Sequence, residues 1–342
     1  MFRSASRPCV SPGDAGPPVD RSFLIDPQGR RLDYVRLAVT DRCNLRCRYC
    51  MPEEGLAPWG SDGGLGFPEL LRLCAILCTV GVGRIRITGG EPLLRRGITE
   101  FMRDVARLPQ KPEILLTTNG TLLADHLDDL AAAGLRRVNL SLDSLDPETW
   151  FRITRRRGFA KVRRTLDEVL AAGLGLKINM VVLPGVNDHE LADFVALTRE
   201  RPLTVRFIEA MGFDGSGRPM TTMSGREILA RLQESFSLEP VPRRSAAVAD
   251  EFTIAGYAGH VGIISGHSRT FCHDCSRLRI DARGRLRTCL YGPPVVDLKD
   301  MLMGGAADSD ILAGVRRALA SRQPDGFAAQ AGRLDSMANI GG

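Results

Sequence analysis

Between about Asp33 and Glu209 the chain repeats one rhythm, and that rhythm limits the fold more than any other feature. A short run rich in β-branched residues leads into a polar or glycine-rich turn and then an amphipathic helical stretch. The apolar runs are Tyr34 to Val39, Arg84 to Thr88, Ile114 to Thr117, Val138 to Leu142, Lys177 to Leu183 and Thr204 to Ile208. Helical candidates separate them at Pro68 to Val80, Ile98 to Leu108, Ala124 to Ala133, Val162 to Ala172 and His189 to Arg199. Strands alternating with helices make a parallel sheet with right-handed crossovers, so the expected class is α/β, a partial (β/α)6 TIM-like barrel. In such barrels the loops at the carboxyl ends of the strands converge over one mouth and carry the chemistry. Gly89-Gly90-Glu91, Thr118-Asn119-Gly120, Ser141 with Asp143, and Glu209 with Met211 all fall there.

After Met211 the rhythm gives way to glycine-rich loops, a helix over Ser224 to Ser235, and antiparallel strands around Glu251 to Tyr257 and His260 to Ser265. Arg277 to Asp281 and Arg285 to Cys289 read as a hairpin turning at Arg283-Gly284. The expected organisation is a loose N-terminal tail over residues 1–20, a barrel over 21–235, and a smaller C-terminal α+β module over 236–342. The tail is rich in Pro, Gly and Ser and has little to bury. No apolar run approaches the roughly 20 residues that cross a bilayer, and residues 1–20 lack the basic-then-apolar order of a secretory signal. The expectation is therefore a cytoplasmic protein without a membrane segment. A formal charge of +6 favours an anionic partner without choosing between nucleic acid, lipid and a phosphorylated small molecule.

Six of the nine cysteines fall into two groups: Cys43, Cys47 and Cys50, then Cys272, Cys275 and Cys289. In a reducing compartment such groups read as metal ligands rather than disulfides. Three thiolates suit three corners of a four-iron, four-sulfur cluster and leave one iron for a small molecule. A zinc site normally takes four ligands, and no fourth Cys or His stands near the first group. The second group is ambiguous by itself, because its CxxC pair also occurs in zinc ribbons and His273 could supply a fourth ligand. Cys74 and Cys78, four apart in an apolar helix, read as core residues, and Arg155-Arg156-Arg157 as a solvated turn.

The first group, with Tyr49 before its last thiol and Gly89-Gly90-Glu91-Pro92 at a strand end, closely resembles the radical S-adenosylmethionine (SAM) superfamily signature. That resemblance implies a [4Fe-4S] cluster whose open iron binds SAM. Two three-cysteine groups flanking a partial barrel resemble, more narrowly, the GTP 3′,8-cyclase (MoaA) family of molybdenum cofactor biosynthesis, over nearly the whole chain from about residue 20. The family implies two [4Fe-4S] clusters, the second anchoring the purine. It also implies hydrogen abstraction from C3′ of GTP and C3′–C8 bond formation, giving (8S)-3′,8-cyclo-7,8-dihydroguanosine 5′-triphosphate. By position in the family pattern, Tyr49, Gly90, Ser141 and Met211 would contact SAM. Arg36, Arg86, Thr117, Lys177, Arg277 and Arg279 would contact GTP, and the terminal Gly341-Gly342 would enter the active site. The resemblance further implies an electron donor such as flavodoxin or ferredoxin, product passed to cyclic pyranopterin monophosphate synthase, no nucleic-acid partner, and a monomer or homodimer. Two other readings use the same cysteines: a radical SAM enzyme that modifies peptides, and a zinc-ribbon protein that binds nucleic acid.

Overall fold

A computed structural model describes residues 23–56, 63–211, 213, 220–330 and 335–341. The tail assigned to residues 1–20, with Cys9, and the terminal Gly342 lie outside the described residues. The first six strands are β1 (Tyr34–Ala38), β2 (Arg84–Thr88), β3 (Glu113–Thr118), β4 (Arg137–Ser141), β5 (Gly175–Val182) and β6 (Thr204–Glu209). Each lies parallel to the one before it. Between them run helices α1 (Phe67–Thr79), α2 (Ile98–Ala106), α3 (Leu127–Ala132), α4 (Pro147–Thr154), α5 (Phe159–Ala171) and α6 (Leu191–Ala196). This is the expected partial barrel.

Strand parity divides the residues between two environments. Ile85, Ile87, Ile114, Leu116, Val138, Leu140, Ile178, Met180, Val205 and Phe207 join Leu73, Leu77, Phe101, Val105 and Leu166 of the helices in one buried core. Their neighbours on each strand face the opposite side, where the charged and polar residues collect.

Helix α4 has no counterpart among the expected helices, although Asp146-Pro147 marks its start. The Asp146 carboxylate accepts from the Thr149 N–H at 2.7 Å, and proline occupies the first turn, where no amide partner is missed.

Beyond β6 come α7 (Gly225–Gln233), β7 (Glu239–Pro240), β8 (Asp250–Thr253), β9 (His260–Ile264), β10 (Arg277–Ile280), β11 (Arg285–Arg287) and β12 (Val296–Asp297), then α8 (Leu298–Met303), α9 (Asp308–Ala320), α10 (Gly326–Ala329) and α11 (Met337–Ile340). These strands do not form a sheet of their own. All twelve belong to one sheet in the order β12-β11-β10-β1-β2-β3-β4-β5-β6-β9-β8-β7. Strand β9 adds parallel to β6, and β10 adds parallel to β1 at the far edge. The segment from Ser265 to Ser276 must therefore cross the open side of the half-barrel, and it carries Cys272 and Cys275 with it. No described helix is long and apolar enough to cross a membrane.

Candidate active site

The inward faces of β1 to β6 and β10 enclose a cavity of about 590 Å³. Both cysteine trios lie in its wall, as do Tyr49, Gly90, Ser141, Met211, Arg36, Arg86, Thr117, Lys177, Arg277 and Arg279. The sequence scatters these residues over more than two hundred positions, and the fold gathers them around one space. Of the tail pair, Gly341 meets this wall through Arg279, whose Nη1 donates to the Gly341 carbonyl at 3.0 Å.

The first trio sits on the loop after β1, and β2 fixes that loop through backbone contacts. Gly90 N–H donates to the Thr40 carbonyl and Glu91 N–H to the Arg42 carbonyl, both at 2.8 Å. Only glycine allows this approach. A Cβ on Gly90 would lie 2.4 Å from the Arg42 carbonyl oxygen and 2.6 Å from that of Asp41. Gly90→Ala is therefore expected to push the loop outward and lower the iron retained by the first trio, while far-ultraviolet circular dichroism keeps its native shape. Native iron content in that variant would refute the packing argument.

Glu91 is fully buried and accepts from Leu93 N–H (3.0 Å), Thr118 Oγ1 (2.8 Å) and Asn119 N–H (2.7 Å). Burial lifts its carboxyl to about 7 in spite of those donors. The same bonds aim Asn119, whose Nδ2 reaches Asn44 Oδ1 at 2.8 Å and Cys43 Sγ at 3.7 Å. Tyr49 donates to Asp143 at 2.7 Å, and Asp143 also accepts from Val181 N–H at 2.9 Å. Burial raises the thiols of Cys43 to about 11 and Cys50 to about 12, and lifts Cys47 well above its ordinary value. Loading metal here must expel protons, as thiolate sites do.

The second trio has the opposite electrostatics at one corner. Burial would raise Cys275, but Arg277 and Arg322 outweigh it and hold the thiol below its ordinary value. Arg277 Nη1 lies 3.7 Å from Cys275 Sγ, Arg322 donates to the Cys275 carbonyl at 3.0 Å, and Arg30 donates to the Cys272 carbonyl at 2.8 Å. His273 takes no part, since its side chain is 66% exposed and its Nδ1 lies 3.2 Å from the Thr270 carbonyl. The fourth zinc ligand offered by the sequence thus points away. Among the described residues no three Cys, His, Asp or Glu side chains close around a point that one metal ion could fill. Each trio offers three soft thiolate donors, the ligand type that iron–sulfur clusters take.

Between the trios the wall is cationic. Arg279, Arg36 and Arg86 stand in register on three adjacent strands, with Arg277 two residues before Arg279 on the same face. Burial, and next the charge of Arg279, drives the Arg36 pKa far down, while burial and Arg277 bring Arg279 to about 10. Like charges held this close in a poorly solvated site repel strongly until an anion joins them. The inward parity also brings in residues that sequence reasoning passed over: Arg84, Asn139, Asn179 and Arg206 line the same wall. Arg206 is in phase with Ile208 on a strand whose inward side was already marked by Lys177 one strand away, so counting by twos would have found it. Glu251, from β8, accepts from Lys177 (3.0 Å) and Arg206 (2.9 Å). Buried Asn139 Oδ1 and Asn179 Oδ1 have no hydrogen-bond partner among the described residues, so they remain open to a ligand's donors.

A parallel half-barrel with a three-thiol loop after its first strand is the architecture of the radical SAM superfamily, and residues 37–198 match that superfamily. Residues 203–328 match the family described as Molybdenum Cofactor Synthesis C. The chain is 42% identical to the GTP 3′,8-cyclase of Geobacter sulfurreducens over 93% of its own length and 99% of that protein. It is 40% identical to the GTP 3′,8-cyclase of Moorella thermoacetica over 92% of its length and 98% of that protein. The human Molybdenum cofactor biosynthesis protein 1 is 41% identical over 85% of this chain and 46% of the longer human chain. Among solved structures, Streptococcus suis SuiB has the same fold, with a TM-score of 0.57 at 15% identity over 83% of this chain and 68% of that one. The chain belongs to the GTP 3′,8-cyclase family. As a radical SAM enzyme it works with SAM and an iron–sulfur cluster.

Proposed function

We propose that this cavity converts GTP to (8S)-3′,8-cyclo-7,8-dihydroguanosine 5′-triphosphate, the first step of molybdenum cofactor synthesis. The observation that carries the reading is the placement of two three-thiol loops on one 590 Å³ cavity with a row of buried guanidinium groups between them. Cys43, Cys47 and Cys50 would hold one [4Fe-4S] cluster and Cys272, Cys275 and Cys289 a second. When bound, the first supplies the electron that cleaves SAM to an adenosyl radical. Tyr49, Gly90, Ser141 and Met211 surround the SAM end. Arg36, Arg86, Arg277 and Arg279 hold the triphosphate through charge-assisted bonds, with Thr117 and Lys177 completing the nucleotide contacts. The residues' task is to orient the ribose and base and to exclude water, since a misdirected radical attacks protein. An external electron donor such as flavodoxin or ferredoxin, and transfer of product to cyclic pyranopterin monophosphate synthase, complete the scheme. A cytoplasmic setting is the reducing compartment in which such thiolate ligands persist.

Anaerobic incubation with GTP, SAM and a strong reductant should give 5′-deoxyadenosine and the cyclised nucleotide together. SAM cleavage with GTP unchanged would overturn the reading, as would zinc in place of iron and acid-labile sulfide. The pH dependence is a second check. Burial and then Arg206 depress Lys177 to about 8, while Arg206 and Lys177 hold Glu251 down to about 2 against the pull of burial. The ammonium is present below that value and lost above it. The apparent KM for GTP should therefore rise several-fold, on the order of tenfold, as pH climbs through about 8. Lys177→Met should show a high KM without that step; an identical step in both proteins would exclude Lys177.

A further inference from the structure

The run Arg155-Arg156-Arg157 takes no part in the cavity wall, yet the fold fixes it against the loop that carries the first trio. Helix α4 ends at Thr154, and Arg155 reverses the chain in a left-handed conformation with φ of 54°. The carbonyls of Ile153 and Thr154 then accept from Arg48 N–H (3.0 Å) and Arg46 N–H (2.9 Å), so the two bonded amides flank Cys47. Arg155 closes the seam by donating to the carbonyls of Arg46 (3.2 Å) and Met51 (3.5 Å). The thiol loop thus has the cavity on one side and this seam on the other.

Arg48, Arg152, Arg156 and Arg157 are exposed along the seam. Arg155 has a loose pairing with Glu53 at 3.7 Å, but among the described residues no carboxylate lies within ion-pair distance of those four. Arg157 instead lies over the exposed ring of Phe151, 5.6 Å from its centre. A charge run is ordinarily a solvated face; in this one Arg155 is bonded to the Arg46 and Met51 carbonyls on either side of Cys47 and Cys50, and it holds the exposed Arg156 and Arg157 beside that loop. Substrate and SAM fill the cavity side during turnover, so an electron must enter from the other side. Unpaired positive charge beside an apolar ring is the surface that steers and seats an acidic protein.

We propose that this seam docks an acidic one-electron carrier protein, an inference that rests on the radical SAM reading of the cavity. The carrier gives up one electron for each SAM cleaved and leaves oxidised by one electron. Cys43, Cys47 and Cys50 would hold the cluster that relays this electron, whose uptake would be matched by breakage of the C5′–S bond of SAM with release of methionine and the adenosyl radical.

The test compares two reductants on the reconstituted full chain with GTP and SAM. One is reduced bacterial flavodoxin, and the other is dithionite with a viologen mediator, which needs no docking surface. In Arg156→Glu/Arg157→Glu the viologen-driven rate should stay within about twofold of native. The KM for flavodoxin should rise about tenfold or more at low salt, and the steep salt dependence of the native rate should flatten. Arg156→Lys/Arg157→Lys should behave as native. Equal flavodoxin kinetics in native and Glu variants would overturn the proposal, as would nucleic-acid binding lost in the Glu variant with flavodoxin kinetics unchanged. Failure of the native protein to cyclise GTP with viologen would instead defeat the reading of the cavity, so the two failures are distinguishable.

Discussion

Serine in place of Cys289 should leave 5′-deoxyadenosine formation running while the cyclised nucleotide disappears. The two trios are built by different parts of the fold, and that separation is what the variant exploits. The first loop is held by Gly90 and Glu91 just beyond β2 and by Asn119 just beyond β3, through hydrogen bonds that do not involve the second loop. Cys289 lies just beyond β11 on the opposite part of the wall. A serine hydroxyl is a poor ligand for iron that prefers soft sulfur, so the proposed second cluster should be lost or become labile. The GTP base would then lack the proposed anchor, and the sugar carbon would no longer be presented to the radical. Misplacing a reacting atom by about 1 Å can cost about a hundredfold, and losing an anchor altogether should exceed about a thousandfold, near 4 kcal/mol. Cys47→Ser should behave differently and abolish both products. Paramagnetic resonance of the reduced proteins should show one cluster signal missing in each variant. If Cys289→Ser cyclised GTP at even half the native rate, the second trio would have no place in the reaction.

How much of this could be read without coordinates depended on the range over which each signal acts. The six parallel strands were legible because a β-branched run and its following helix are local features, and all six appear within a residue or two of their expected limits. The cysteine trio at Cys43 to Cys50 was legible for the same reason. What the sequence could not display was the destination of the later strands. Nothing local to Arg277–Ile280 says that it pairs with β1, some 240 residues earlier, or that β9 closes onto β6. Those two pairings carry Cys272 and Cys275 across the mouth and set Arg279 beside Arg36. Parity was a signal available but unused: Arg206, Asn139 and Asn179 share the inward side with residues already singled out. Helix α4 was missed although its Asp-Pro start was present, because its eight residues have no long apolar stripe to reveal them.

Valine at Gly341 should cut GTP turnover on the order of a hundredfold with both clusters still assembled. The tail reaches the cavity along a chain of specific bonds. Ser336 Oγ donates to the Cys50 carbonyl at 2.6 Å, Met337 N–H to the Phe213 carbonyl at 2.9 Å, and Ala282 N–H to the Asn339 carbonyl at 3.3 Å. These contacts deliver Gly341 to a φ of 87°, where its carbonyl accepts from Arg279. A side chain there is doubly opposed. Left-handed backbone costs an L-residue about 1–2 kcal/mol, and a β-branched residue is among the least tolerant. A Cβ would also lie 2.8 Å from the Ala38 Cβ and 3.0 Å from Thr88 Cγ2, both on rigid strands. The chain relieves both by withdrawing the tail, which strips Arg279 of its carbonyl partner and leaves that guanidinium free to bind phosphate in another pose. The displacement begins at Gly341, beyond the bonds that Ser336 and Ala338 make to Cys50, so iron and sulfide should stay at native levels and SAM cleavage should persist with GTP left unchanged. Ser336→Ala should move activity in the same direction by a smaller factor, since it removes one anchor and adds no clash. Native turnover in Gly341→Val would mean that the tail has no part in setting the nucleotide, and that its bond to Arg279 is incidental.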